Sequence, residues 1–140
     1  MESTPDDKIP EEKIVLRYTN TIDGKYRKYL GYLRDRRICR ADSFVVAINA
    51  ARLYKWAQAE GDPPRFLKAL YPIGPYQVVF NKRTMEFIES RNEPRFHIVK
   101  ASREKVPVQA FLDKSSRGIS AVLCSLADVG SHRASLGFDF

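Results

Sequence analysis

The sequence predicts an α+β fold that is mostly helical, and three patterns in its 140 residues support this class. Residues 13–19 alternate between apolar and polar side chains, which is typical of a strand with one solvated face. Apolar residues at intervals of three and four follow, as in an amphipathic helix. Residues 44–60 are then apolar nearly all round, which predicts a buried helix. A strand–helix–helix unit over 13–60 is therefore expected.

The predicted strand places its apolar side chains under the helices. These are Ile14, Leu16 and Tyr18. The side chains of its opposite, solvated face are Lys13, Val15, Arg17 and Thr19. Asn20 or Thr21 can cap the first helix, 22–37, and Asp42 or Ser43 can cap the second. Gly61 and the two prolines after Asp62 end the second helix.

The middle of the chain, 61–94, is interpreted as a connecting segment. Residues 64–70 suggest a helical turn, 71–75 a loop, and 76–80 a strand by composition. Asn81 can either cap a helix that runs to Arg91 or turn a hairpin, and the helix is favoured.

The last third repeats the opening order in shorter form, which suggests a second, degenerate unit over 95–130. It would consist of a strand at 95–99, a short helix at 106–114, a turn at 115–118 and a helix at 119–129. Residues 1–12 are expected to be a disordered acidic lead-in, and 131–140 a flexible tail.

Charge is unevenly distributed along the chain. The formal net charge is +7, made up of −4 over 1–12, +8 over 13–55 and +3 over the remainder. A concentrated basic region favours a polyanionic partner, because it raises the local concentration of phosphates. The sequence therefore predicts a nucleic-acid-binding protein.

The order strand, helix, turn, helix with a basic strand resembles the ribbon-helix-helix DNA-binding superfamily. The resemblance implies that two strands pair into a ribbon that lies in the major groove of double-stranded DNA. The groove-contacting residues would be Lys13, Val15, Arg17, Thr19, and, from the second unit, Arg95 and His97. The family's phosphate clamp at the start of the second helix would fall at Ser43. Other phosphate contacts are expected from Lys25, Arg27, Arg36, Arg37 and Arg40.

Two units in one chain are similar to tandem relaxosome accessory proteins of the TraY type and to a T-DNA-processing protein of the VirC operon. The chain would then be a monomeric pseudo-dimer, or else a homodimer. An accessory role in plasmid transfer or T-DNA processing, beside other DNA-processing proteins, and transcriptional regulation are all compatible with this interpretation. The alternatives are an RNA- or single-strand-binding protein of another α+β fold, with Tyr32 stacking on bases, and a protein-interaction adaptor.

Several function classes are not expected. Cys39 and Cys124 stand far apart, without zinc or redox spacing, and are interpreted as reduced thiols of a cytoplasmic protein. Neither His97 nor His132 has ligand residues at metal spacing, so no metal and no cofactor are predicted. No nucleophile, phosphate-loop or paired-carboxylate motif points to an enzyme, and no apolar run is long enough to span a membrane.

Overall fold

The computed structural model of the chain describes residues 11–51, 63–112 and 114–125. In chain order the elements are α1 (Glu11–Arg34), β1 (Phe44–Asn49), α2 (Leu67–Leu70), β2 (Ile73–Phe80), β3 (Phe87–Pro94), β4 (His97–Val99), β5 (Lys105–Pro107), a 3-10 turn (Lys114–Ser116) and β6 (Ile119–Ser125). Four parts of the predicted elements lie outside the described residues: 1–10 of the lead-in expected at 1–12, the second half of the helix expected at 44–60, the end of the helix expected at 119–129, and the tail. The last two residues of the expected lead-in, Glu11 and Glu12, are not disordered but begin α1.

The chain begins its described part as one long helix, so the strand predicted at 13–19 is wrong. The buried positions of α1 are Ile14, Val15, Tyr18, Thr19, Ile22 and Tyr29. They recur at helical spacing and form one stripe, which packs into the core. Glu11 and Glu12 in the first turn and Arg34 in the last turn suit the helix dipole. The helix predicted at 22–37 exists to Arg34, as the continuation of this longer helix.

A parallel pair of strands replaces two predicted helices. β1 pairs with β6 in parallel, with Val46 opposite Val122 and Ile48 opposite Cys124. Val46 and Ile48 are buried while their neighbours in β1 are exposed, which is the period of a strand. The helices expected from Phe44 and from Ile119 are therefore wrong over the described residues.

Residues 73–94 form an antiparallel hairpin, β2–β3, so the favoured helix after Asn81 is wrong and the alternative hairpin is right. The turn is closed by the Asn81 backbone N–H, which donates to the carbonyl oxygen of Glu86 at 2.9 Å. The Asn81 side-chain oxygen also accepts the backbone N–H groups of Arg83 and Thr84, at 2.9 and 3.3 Å. Asn81 therefore caps a turn rather than a helix.

A second, short antiparallel hairpin joins β4 to β5, with Ile98 opposite Val106. The strand expected at 95–99 is present as β4, whereas the helix expected at 106–114 is wrong. The helical turn expected at 64–70 is present as α2.

One hydrophobic core joins α1, β1, α2, β4, β6 and the segment after β5, whereas the β2–β3 hairpin contributes no residue to it. Its buried members are Ile14, Val15, Tyr18, Ile22, Val46, Ile48, Ala50, Ala69, Leu70, Ile98, Val108 and Ile119. Over 11–51, 63–112 and 114–125 the fold class is α+β, with two helices and three separate two-stranded sheets, and it is not mostly helical. A ribbon-helix-helix unit does not occur in the described residues, because 13–19 is helix and 44–49 is strand.

Candidate nucleic-acid interface

The solvent-facing side of α1 carries most of the exposed positive charge of the helix. At 100° per residue, five basic residues fall within an arc of about 120° opposite the buried stripe. They are Lys13, Arg17, Arg27, Lys28 and Arg34, and all five are exposed. The first and last of them are separated by about 32 Å along the helix axis. We call these five residues the basic face.

Positive charge continues past the end of the helix. Arg36 has a left-handed backbone with φ of 56°, which ends α1, and Arg37 and Arg40 follow in an exposed turn. The Arg37 guanidinium lies 6.0 Å from the ring centroid of Tyr32. From residue 13 to residue 40 the chain holds nine Lys and Arg against two Asp, so this surface attracts anions.

The carboxylates at the start of α1 form ion pairs with other segments of the described chain. Glu11 Oε1 lies 2.5 Å from the ammonium nitrogen of Lys68, which is buried. Glu12 Oε1 lies 3.9 Å from Nη1 of Arg95. Both pairs join α1 to the segments around α2 and β4, away from the basic face. On the basic face itself, Asp35 pairs with Arg34 at 3.3 Å.

A groove of about 580 Å³ runs between α1 and β1 beside the basic face. It is lined by Arg17, Tyr18, Asn20, Thr21, Lys25, Ala47, Ile48 and Asn49. Two cations, two amides and two hydroxyls make this lining suitable for phosphate oxygens. The groove therefore extends the basic face sideways onto the edge of β1.

The inner wall of the groove is held by a phenol and a thiol that stay neutral at physiological pH. The Cys124 Sγ–H donates to Oη of Tyr18 at 3.8 Å. Burial, with the neighbouring Cys124 adding to it, raises the pKa of Tyr18 well above its ordinary value. Burial also raises the pKa of the Cys124 thiol. Neither group is activated for nucleophilic chemistry, which requires a lowered pKa.

The structure separates the residues predicted to contact a DNA groove. Lys13 and Arg17 are exposed on α1, but Val15 is fully buried and Thr19 is buried with its hydroxyl donating to the Val15 carbonyl oxygen at 3.0 Å. Val15 and Thr19 therefore offer no surface to a partner. Their assignment depended on a strand that alternates faces, whereas a helix turns both side chains inward.

Arg95 and His97 do not continue the same surface. Arg95 has a largely buried side chain directed at Glu12, and its Nε and Nη2 atoms are buried without a hydrogen-bond partner in the described part of the chain. His97 is exposed on β4. Neither pairs with residues 13–19 to form a ribbon.

The phosphate clamp predicted at Ser43 is also absent, because β1 rather than a helix follows it. The Phe44 backbone N–H donates to the hydroxyl of Ser120 at 3.1 Å, so this amide is already engaged. The remaining predicted phosphate contacts keep a solvent-accessible position. Lys25 is half-buried in the groove, and Arg27, Arg36, Arg37 and Arg40 are exposed.

Sequence reasoning missed part of this surface. Lys28 and Arg34 lie within the predicted helix but were not among the chosen site residues, and the strand predicted at 13–19 concealed that Lys13 and Arg17 lie on the same helical face. Asn20 and Asn49 line the groove, and no local pattern could have joined them, since β1 reaches α1 only through tertiary packing.

No protein-family model, no curated protein and no solved structure matches the chain. Within the described ranges, no helix combines the length and apolar character needed to cross a membrane. Among the same residues, no three His, Cys, Asp or Glu side chains are grouped so that they could hold a metal ion.

Proposed function

We propose that the protein binds nucleic acid, with double-stranded DNA as the preferred form, through the basic face of α1 and the groove beside it. The observation that carries this proposal is the alignment of five exposed cations along one side of a continuous helix of 24 residues. A rigid array of charge matches a rigid duplex, whose phosphates are regularly spaced and whose major groove admits an α-helix.

The contacts would be non-covalent and mainly to phosphates. Arg27, Lys28 and Arg34 on the helix and Arg36 and Arg37 beyond it would each neutralise backbone charge, and the groove would hold one further phosphate. Such contacts position a protein on the duplex but carry little sequence information, because sequence is read at base edges. These contacts therefore account for binding to nucleic acid in general and not for recognition of a particular sequence.

A second candidate is single-stranded RNA or DNA, and one observation favours it. Tyr32 is exposed next to Arg37, and an aromatic ring beside a guanidinium is a common platform for an unpaired base. The two candidates differ in what Tyr32→Ala does. Loss of the ring would weaken single-strand binding and leave duplex binding nearly unchanged.

The test measures fluorescence anisotropy of a labelled duplex of about 20 base pairs, two turns of B-form DNA, and of the matching single strand. Binding is followed from about 50 to 200 mM salt, because each neutralised phosphate contributes about −0.9 to the slope of log K against log salt. The double variant Arg27→Ala/Lys28→Ala should make that slope shallower by about two and weaken binding at every salt concentration.

The matched control is Lys105→Ala/Lys114→Ala, which removes the same charge from β5 and the 3-10 turn. If both double variants lose affinity equally, net charge alone drives binding and the basic face has no special role. If neither duplex nor single strand binds with a steep salt dependence, the protein does not bind nucleic acid. Preference for the single strand together with loss on Tyr32→Ala would select the second candidate.

A further inference from the structure

The β2–β3 hairpin projects from the molecule as an arm with one apolar face. Strand alternation places Tyr76, Val78 and Phe80 on the same side of β2. On β3, Ser90 pairs with Val78 and Phe87 with Phe80, and the register shifts between these pairs because Ile88 is an extra residue. Phe87 therefore lies on that side by its pairing with Phe80, and Ile88 by its spacing of two from Ser90. The rings of Phe80 and Phe87 are in edge contact, with centroids 6.2 Å apart. With Met85 at the turn, these side chains form what we call the arm face.

The opposite side of the arm is polar. Gln77 pairs with Arg91 and Val79 with Glu89 across the hairpin. Gln77 Nε2 donates to Oε2 of Glu93 at 2.6 Å, and Arg91 lies 3.3 Å from Glu89. The arm is therefore amphipathic, as a sheet is when one of its faces packs against another surface.

The described part of the chain leaves the arm face uncovered. The six apolar side chains of this face are between 44 and 73% exposed. The arm is joined to the described body at its root, where Gly74 is buried and the Arg95 backbone N–H donates to the Pro72 carbonyl oxygen at 3.0 Å. An isolated two-stranded hairpin is at best marginally stable in water, so a covering surface would stabilise this one.

The charge of the arm distinguishes its partner from that of the basic face. Residues 73–94 hold three Lys and Arg and three Glu, so the arm is neutral. A neutral apolar face has no attraction for a phosphate backbone and is typical of a protein–protein contact. The charge along the arm is also uneven, since the turn 81–86 carries Lys82, Arg83 and Glu86, a net charge of +1, whereas 87–94 carries Glu89, Arg91 and Glu93, a net charge of −1.

We propose that the arm face binds the arm face of a second copy of this chain, with the two arms antiparallel about a two-fold axis. This arrangement is self-complementary, as an isologous interface must be. It lays the basic tip of each arm beside the acidic root of the other, whereas a parallel arrangement would bring like charges together. Val78 and Ser90 lie near the middle of the arm, where the axis would pass.

The available area fits such a dimer. Three aromatic side chains and three aliphatic ones, each about half exposed, offer on the order of 500 Å² per copy. Two copies would bury on the order of 1,000 Å² in total, which is the lower limit of a specific interface. The dimer is therefore weak, and its formation depends on protein concentration in the micromolar range.

The test is sedimentation equilibrium of the full chain from about 1 to 300 µM, with a reductant present because Cys39 is exposed and could form a disulfide. The wild-type mass should rise from 16.1 kDa toward twice that value. Val78→Lys should remain at the monomer mass throughout, because it places a charge at the centre of the arm face. Circular dichroism checks that the variant is folded, and Ile88→Lys serves as an independent second variant.

Val45→Lys is the matched control, since Val45 is a strand valine of similar exposure on β1, away from the arm. It should dimerise like the wild type. A wild-type mass that stays at 16.1 kDa up to the highest concentration would overturn the proposal. So would a dimer that survives both arm variants, or one that Val45→Lys dissolves equally, or association that continues beyond the dimer.

Discussion

Gly118 should be the least replaceable glycine among the described residues, and Gly118→Ala tests this prediction. Gly118 precedes β6 with a φ of +111°, a region that L side chains rarely adopt. A Cβ at this position would also lie far inside van der Waals contact with the hydroxyl end of Tyr29. Tyr29 is buried and packs against Phe44, with ring centroids 4.9 Å apart, so it has little room to move.

Backbone strain and the clash with Tyr29 together determine how much Gly118→Ala lowers the free energy of unfolding. Backbone strain at such a φ costs about 1–3 kcal/mol. Displacing the Tyr29 ring within a packed core is comparable to overpacking, which costs about 1–3 kcal/mol. Gly118→Ala should therefore lower the free energy of unfolding by about 3 kcal/mol or more, and the midpoint of thermal unfolding by about 10 °C. Urea denaturation and a thermal melt measure both quantities.

Two controls separate the causes. In a Tyr29→Leu background, Gly118→Ala should cost about 1–3 kcal/mol less, because the ring atoms that clash with the new Cβ are gone while the strain remains. Gly24→Ala on α1 should raise stability by about 0.5–1 kcal/mol, since a Cβ there meets no described atom within 4 Å and alanine favours helix. A Gly118→Ala protein as stable as the wild type would refute the reasoning about both φ and Tyr29.

The buried ion pair and the buried phenol–thiol pair give two further predictions. Glu11→Gln should cost about 2 kcal/mol, because it leaves the buried Lys68 ammonium without its counter-charge, whereas Lys68→Met should cost less than about 1 kcal/mol. Urea denaturation of the two variants checks that order, and the reverse order would contradict it. The raised pKa values of Tyr18 and Cys124 mean that both groups give up protons more readily in the unfolded chain. The stability that these two groups contribute should thus be constant below about pH 8 and fall as the pH rises past 9, less steeply in Cys124→Ala, as urea titrations across this range would show.

The helix at the start of the described chain was predictable in principle. Ile14, Leu16 and Tyr18 fit the period of a strand, and Val15 was the one residue that did not. Val15 is in fact among the most buried side chains of the molecule. Val15 lies at helical spacing from Ile14, Tyr18 and Ile22. A longer sequence window that included all four residues would therefore have predicted a helix rather than a strand.

The strands at 44–49 and 119–125 were much harder to predict. Each is an apolar run with β-branched residues, a composition that a buried helix and a buried strand share. Their conformations depend on each other, because Val46 and Ile48 of β1 form a parallel ladder with β6, whose residues lie more than 70 positions away. No local pattern reports such a pairing, and a parallel pair needs a long crossover connection.

For the candidate site, the sequence identified exposed charged residues, but the geometry predicted for them was wrong. Arg27, Arg36 and Arg37 are exposed as expected, since side-chain charge is readable without the fold. Val15 and Thr19 were assigned to a groove by their place in an alternation, and a change from strand to helix buried both. A prediction based on charge therefore holds even when the secondary structure is predicted wrongly. A prediction of which way a side chain faces does not.

The basic face and the arm face share no residues, but binding at one of them is thermodynamically linked to binding at the other. If two copies associate through their arms, each duplex-bound dimer carries two basic faces, and the second face binds at a high effective concentration. Linked equilibria are reciprocal. A duplex long enough to reach both basic faces must therefore raise the dimerisation constant by the same factor by which dimerisation raises the affinity for that duplex. A duplex too short to reach the second face would leave the equilibrium between monomer and dimer unchanged. The length of duplex at which the two equilibria become coupled would therefore report the distance between the basic faces.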